Sequence, residues 1–217
     1  MIEAVIFDMD GILFDTERLV SECWIEVANK LNIKEIQPIL NRCIGLNKKS
    51  TQAIFLKQLG EAFDFDEFNQ MAHDAFMGRV EKDGLPIKRG VHELLAFLKE
   101  KGFKIGLASS TNEKSVRSHL KLAQIEEYFE VIVGGDMVTN GKPDPEIYLR
   151  ACRDLGVLPQ NAIAIEDSHN GIRAASAAGM NVIMVPDLMP CNAEIETILY
   201  QKMDSLLEVK AFLSNIE

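Results

Sequence analysis

Ala4-Val5-Ile6-Phe7-Asp8-Met9-Asp10-Gly11 decides how the rest of this 217-residue chain is read. Its first four residues are apolar and too few for a helix, so they read as a buried strand. Two acids and a glycine follow at once. A strand that ends in carboxylates is a first sign of a site at the carboxyl edge of a sheet.

The same pattern recurs further along. Residues 103–108 read as a strand ending at Ser109-Ser110-Thr111-Asn112, 131–133 as one ending at Gly134-Gly135-Asp136, and 162–165 as one ending at Glu166-Asp167. A further strand covers 182–185. Helical patterns lie between and after them, at 90–101, 113–122, 145–155, 170–178 and 205–213, with Gly102 and Gly179 closing two of these helices. Strands separated by helices of this length imply parallel pairing with right-handed crossovers. The expected fold is α/β, an open, doubly wound parallel sheet. One stretch departs from the pattern. From Thr16 on, Leu19, Cys23, Trp24, Val27, Ala28 and Leu31 recur at helical spacing, and more helix follows at 50–59 and 66–76. This reads as a small helical bundle inserted after the first strand, giving expected domains of 1–15 with 83–217, and 16–82.

Composition narrows the partners. A formal net charge of −10 argues against nucleic acid and anionic membrane, but leaves room for a phosphorylated metabolite at a local cationic site. Cys23, Cys43, Cys152 and Cys191 form no C-x-x-C pair and stand apart from zinc-spaced histidines, which suits reduced thiols in a cytoplasmic protein. No signal peptide is apparent, and no stretch is long and apolar enough to span a bilayer. A monomer is the default expectation.

The strand ends carry the chemistry. Asp8 and Asp10, two apart, fall on one side of an extended segment. Neighbouring carboxylates repel unless a cation or a shared proton intervenes, and Mg²⁺ suits an all-oxygen cluster. Such a pair alone is also a common turn. Glu166 and Asp167 change the balance, because burying several uncompensated acids is costly and a divalent cation is the natural counter-ion. Lys142, in Gly141-Lys142-Pro143-Asp144-Pro145, supplies a second cation. Ser109 precedes a helix start whose free N–H groups favour an anion, although Ser110, Thr111 or Asn112 could equally serve as a helix cap. Acids, a hydroxyl and a lysine at separate strand ends fit phosphoryl transfer, where positioning and charge neutralisation do most of the catalysis.

These segments resemble the motifs of the haloacid dehalogenase-like superfamily, and within it the β-phosphoglucomutase-like phosphatases. Phe7-Asp8-Met9-Asp10-Gly11-Ile12-Leu13-Phe14-Asp15-Thr16-Glu17 resembles the first motif and Leu107-Ala108-Ser109-Ser110 the second. Gly141-Lys142-Pro143-Asp144-Pro145-Glu146-Ile147-Tyr148 resembles the third, and Glu166-Asp167-Ser168 through Gly171 the fourth. The resemblance implies Asp8 as nucleophile and Asp10 as general acid, then base, with its backbone carbonyl on Mg²⁺. It implies that Asp167 completes the metal site, with Glu166 contributing directly or through water, and that Ser109 and Lys142 hold phosphate oxygens. It also implies that the helical insert is a cap governing substrate choice. Thr16, Glu17, Ser110, Lys48 and Lys49 are the candidate substrate-binding residues, together with Trp24 and the loop 44–49, although Trp24, on the apolar helical face, better suits the cap core. His169 is given no mechanistic role. Mutases of the family carry a histidine where this chain has Val20, and a cap-loop arginine where it has lysines. Both departures favour a phosphatase of small phosphate esters over a sugar phosphomutase; a non-catalytic binding protein on the same fold is a third reading.

Overall fold

The computed structural model describes every residue except 44, 45, 47, 216 and 217, and every side chain of those residues except that of Glu17. Strand β1 (Ala4–Phe7) is buried along its whole length, which is why it is uniformly apolar rather than alternating. It pairs in parallel with β2 (Lys104–Ala108) on one side and β4 (Ala162–Glu166) on the other. β3 (Val131–Val133) joins beyond β2, while β5 (Asn181–Met184) and β6 (Gln201–Lys202) extend the sheet beyond β4. The order is β3-β2-β1-β4-β5-β6 with every neighbour parallel, the doubly wound sheet expected. From β1 the chain builds outward to β3, then returns to lay β4 on the opposite edge of β1. The strand order therefore reverses between β1 and β4, and the crevice at their carboxyl ends is where such sheets bind ligands.

Helices flank the sheet. Ile147, Tyr148, Ala151 and Cys152 of a helix at Glu146–Leu155 share one cluster with Ile172, Ala174 and Ala175 of a helix at His169–Ala177. Ala4, Ile6, Ala162 and Ala164 of the strands belong to the same cluster, so the two helices and the sheet share one core. The helix at Val91–Glu100 buries Val91, Leu94, Leu95 and Leu98 completely, each burial worth roughly 1.5–3 kcal/mol.

The chain divides into two compact units, 1–15 with 87–217, and 16–86. In chain order the helices of the second are α1 (Thr16–Lys30), α2 (Gln37–Cys43), α3 (Lys48–Leu59) and α4 (Phe65–Asp83). α4 runs seven residues beyond the end read from the sequence, because Val80 extends its buried stripe. The core of this unit gathers Val27, Ala28, Ile39, Leu40, Phe55, Phe65 and Phe68. Trp24 stands edge-on to Phe55 and Phe68, with ring centroids 5.3 and 5.9 Å away, and so belongs to that core. Arg79 joins α4 to α1 through Glu22 and Glu26. The remaining helices of the sheet unit are numbered α5 (Val91–Glu100), α6 (Glu113–Leu122), α7 (Glu146–Leu155), α8 (His169–Ala177), α9 (Ala193–Glu196) and α10 (Leu206–Leu213). No described helix is long and apolar enough to cross a membrane.

Candidate active site

The ladder hydrogen bonds continue one residue past the strands and so fix the first polar residue of each. Asp8 N–H donates to Ile165 O at 3.0 Å, and Ser109 N–H to Val133 O at 3.0 Å. Asp8 is thereby held beside the end of β4, at the reversal of strand order.

Lys142 reaches this point from the loop before α7. Its ammonium donates to Asp8 Oδ1 at 2.5 Å, Glu166 Oε1 at 2.6 Å and Ala108 O at 3.0 Å. Three N–H groups meet three acceptors, which suits an ammonium whose side chain is only 3% exposed. The ring of Tyr148 lies beside it, 5.0 Å from nitrogen to centroid. Glu166, fully buried, is the hub. Its Oε1 also accepts Tyr148 O–H at 2.7 Å, and its Oε2 accepts Asp167 N–H at 3.2 Å, Ser168 N–H at 3.2 Å and Ser168 O–H at 3.0 Å. Gly171 makes room for it: a Cβ there would run into the Glu166 carboxylate. Five protein donors thus engage Glu166.

One carboxylate oxygen each of Asp8, Glu166 and Asp167 lie within 4.8 Å of one another, all three residues being buried. Lys142 is the only buried Lys or Arg among the described residues. Burial pushes the Asp8 carboxyl well above the usual carboxylate range; Glu166 and Asp10 push the same way and Lys142 opposes them. Burial alone would lower Lys142, but Asp8 and Glu166 outweigh it and hold the ammonium charged. The two effects pull against each other, since a protonated Asp8 would support Lys142 less. The charged lysine is the firmer direction, because two carboxylates contact it. Three buried carboxylates gather beside one buried ammonium, which contacts two of them, and the donors are all oxygen. That combination fits a hard divalent cation such as Mg²⁺.

Asp10 stands apart from this trio. Its Oδ2 accepts the hydroxyl of Thr111 at 3.1 Å, while Thr111 N–H donates to Ser109 Oγ at 3.1 Å. Ser109, 1% exposed, thus accepts from Thr111 and keeps its own O–H as a donor. The expectation of anion-facing amides at the following helix is corrected for two of them. Glu113 N–H is taken by Asp136 Oδ1 at 2.8 Å, from the loop after β3, and Ser115 N–H by the cap residue Asn112 at 3.0 Å, so neither amide is open to an anion.

Ser110 is half-buried in the same loop as Ser109. Thr16, buried, opens α1 in the helical unit. Lys48 and Lys49 begin α3 rather than sitting in a loop, and Lys48 pairs with Asp66 at 2.8 Å on the surface. The Glu17 side chain and residues 44, 45 and 47 lie outside the described residues. His169 Nε2 is 2.9 Å from Pro190 O, a contact that ties α8 to the loop after β5. The sequence reading did not single out the contributions of Tyr148, Ser168 and Thr111. Tyr148 carried the one usable signal: a hydroxyl on the buried face of a helix needs a partner.

Residues 5–185 match the family model described as haloacid dehalogenase-like hydrolase. The chain is 38% identical over 181 residues to the phosphorylated carbohydrates phosphatase of Thermotoga maritima, covering 83% of each. It is 28% identical over 224 residues to hexitol phosphatase B of Escherichia coli, covering 96% of this chain and 94% of that one. The fold is similar to the crystal structure of β-phosphoglucomutase from Clostridium difficile, with a TM-score of 0.78 at 27% identity and all of both chains covered.

Proposed function

The chain belongs to the haloacid dehalogenase-like hydrolase family, and from that premise we propose that it is a Mg²⁺-dependent phosphatase of phosphorylated carbohydrates acting through an aspartyl-phosphate on Asp8. The observation that carries this reading is the meeting of Asp8 with Lys142, Glu166 and Asp167 at the reversal of strand order. The carbohydrate class is supported by the relatives that bear such names.

Asp8 attacks phosphorus, and the ester oxygen leaves with a proton from Asp10. Asp10 then takes a proton from water, the water oxygen bonds to phosphorus, the acyl-phosphate bond breaks, and inorganic phosphate departs with Asp8 restored. Splitting one displacement into two makes each easier. Lys142, already on Asp8 Oδ1, stands beside the reacting oxygens and meets the charge that builds on the phosphoryl group. The Ser109 hydroxyl is a donor to a phosphate oxygen. Asp8, Asp167 and the Asp10 backbone carbonyl would hold Mg²⁺, with Glu166 acting through water. When bound, the ion offsets the repulsion between a carboxylate nucleophile and a phosphate dianion. We read the unit 16–86 as the cap, in which Thr16, Glu17, Lys48 and Lys49, together with Ser110 of the sheet unit, bear on substrate choice.

A panel of hexose and hexitol phosphates, with and without Mg²⁺, tests the activity through release of inorganic phosphate. Acid quenching during turnover of ³²P-labelled substrate tests the intermediate, with hydroxylamine-labile label expected on the peptide containing Asp8. Turnover without that label would refute the covalent route, and no turnover across the panel would refute the phosphatase. The similarity to a β-phosphoglucomutase structure keeps a mutase in view. Conversion of a β-hexose 1-phosphate to its 6-phosphate, given the bisphosphate and with little free phosphate, would favour it over hydrolysis.

A further inference from the structure

Thr111 has all three of its polar groups engaged at the site. Its hydroxyl donates to Asp10 Oδ2 at 3.1 Å across 101 residues of sequence, and its N–H donates to Ser109 Oγ at 3.1 Å. Its carbonyl accepts Gly135 N–H at 2.9 Å, from the loop after β3. That loop presses hard on the Thr111 segment. A Cβ on Gly135 would collide with the Ser110 carbonyl and one on Gly134 with the Glu113 backbone, while Asp136 accepts the Glu113 N–H. The Gly134-Gly135-Asp136 sequence, otherwise without a role, thus braces the backbone from which the Thr111 hydroxyl projects.

We propose that Thr111 is a positioning residue for Asp10, holding the plane of its carboxyl group for proton transfer, with Gly134-Gly135-Asp136 as the brace. A general acid must sit within hydrogen-bond reach of the leaving oxygen, and displacement by about 1 Å can cost on the order of a hundredfold. Asp10 is only half-buried, so packing alone does not fix its rotamer and a hydrogen-bonding tether contributes. The β-branched Thr111, stiff at χ1 and fixed at both its N–H and its C=O, supplies one.

This inference rests on the phosphatase reading, and leaving-group dependence separates the two. An alkoxide leaving from a hexitol phosphate needs the proton of Asp10, whereas p-nitrophenolate does not. The quantity read is kcat/KM, which reports events up to phosphoryl transfer to Asp8. Thr111→Val should lower it about 10- to 100-fold for hexitol 6-phosphate and by no more than about threefold for p-nitrophenyl phosphate. Thr111→Ser, which keeps the hydroxyl, should restore the hexitol phosphate value to within about threefold of wild type. Asp10→Asn should give the same selective pattern with greater amplitude. Thr111→Ala is the second probe should the valine variant fold poorly, as judged by thermal melting. Equal losses on both substrates, no loss on either, or no rescue by serine would overturn the role of Thr111. A wild-type protein inert across the panel of hexose and hexitol phosphates with Mg²⁺ would overturn the phosphatase reading and this role with it.

Discussion

Asp8 and Lys142 touch, yet replacing each should move stability in opposite directions. Burial pushes the Asp8 carboxyl up, so its charged form is held in the fold at a cost. Asp8→Asn removes that charge and the nucleophile while keeping the volume. Turnover should fall at least about a thousandfold, while the melting temperature measured without Mg²⁺ should match or exceed wild type. Near-normal hydrolysis by this variant would show that Asp8 is not the nucleophile. Lys142→Met instead leaves Asp8 and Glu166 facing each other without their shared cation. Breaking a buried pair from one side costs about 3–5 kcal/mol, and loss of a charge-stabilising donor costs about 10²–10³ in kcat. Denaturant titration and steady-state kinetics check both, and an unchanged midpoint would mean that the ammonium is not what reconciles the carboxylates. At this scale the sequence singled out the acids and the lysine that the fold brings together, since charged residues at strand ends stand out. It did not show which hydroxyls hold them, because Tyr148 and Thr111 find their partners 18 and 101 residues away.

Two helices give a contrast between glycines. Gly171 lies in the first turn of α8, where an added Cβ would strike the Glu166 carboxylate. Gly171→Ala should cost roughly 1–3 kcal/mol through overpacking and shift the partners of Glu166. Gly78 is exposed within α4, and a Cβ added to its helical backbone would meet nothing within 4 Å. Gly78→Ala should therefore stabilise the chain by about 0.5–1 kcal/mol, because alanine loses less backbone entropy on entering a helix. Differential scanning of the two variants decides the matter: a lower melting temperature for the first and a higher one for the second is the expected pair. The elements themselves were largely legible. Buried strands announce themselves as apolar runs, and β1, β2, β3, β4 and β5 were all anticipated to within a residue at each end. β6 was not, because Gln201 and Lys202 are two exposed polar residues whose pairing is set by the edge of β5 and not by burial. α2 was missed as well: seven residues with Pro38 at their start carry too little periodicity to stand out.

At the scale of the whole molecule, the order β3-β2-β1-β4-β5-β6 is what makes one site from distant sequence. Asp8 and Glu166-Asp167 are more than 150 residues apart in the chain, yet register pairs Phe7 with Ile165 and sets their carboxylates side by side. Strand-end acids were therefore legible as a pattern, whereas their convergence followed only from the reversal of strand order, which spacing alone does not determine. The same convergence concentrates negative charge at one edge of a chain that already carries −10, and it makes a testable link between metal and fold. An ion that binds the folded site and not the unfolded chain stabilises by RT ln(1 + [L]/Kd), about 2.7 kcal/mol at a hundredfold excess over Kd. For a chain of this size that is a rise in melting temperature of roughly 5–10 °C. Chelation with EDTA should reverse the rise and abolish turnover, and Asp167→Asn should blunt both responses while leaving the sheet folded by circular dichroism. Phosphatase activity that survives exhaustive chelation, with a melting temperature indifferent to Mg²⁺, would mean that the cluster serves the fold and not a cation.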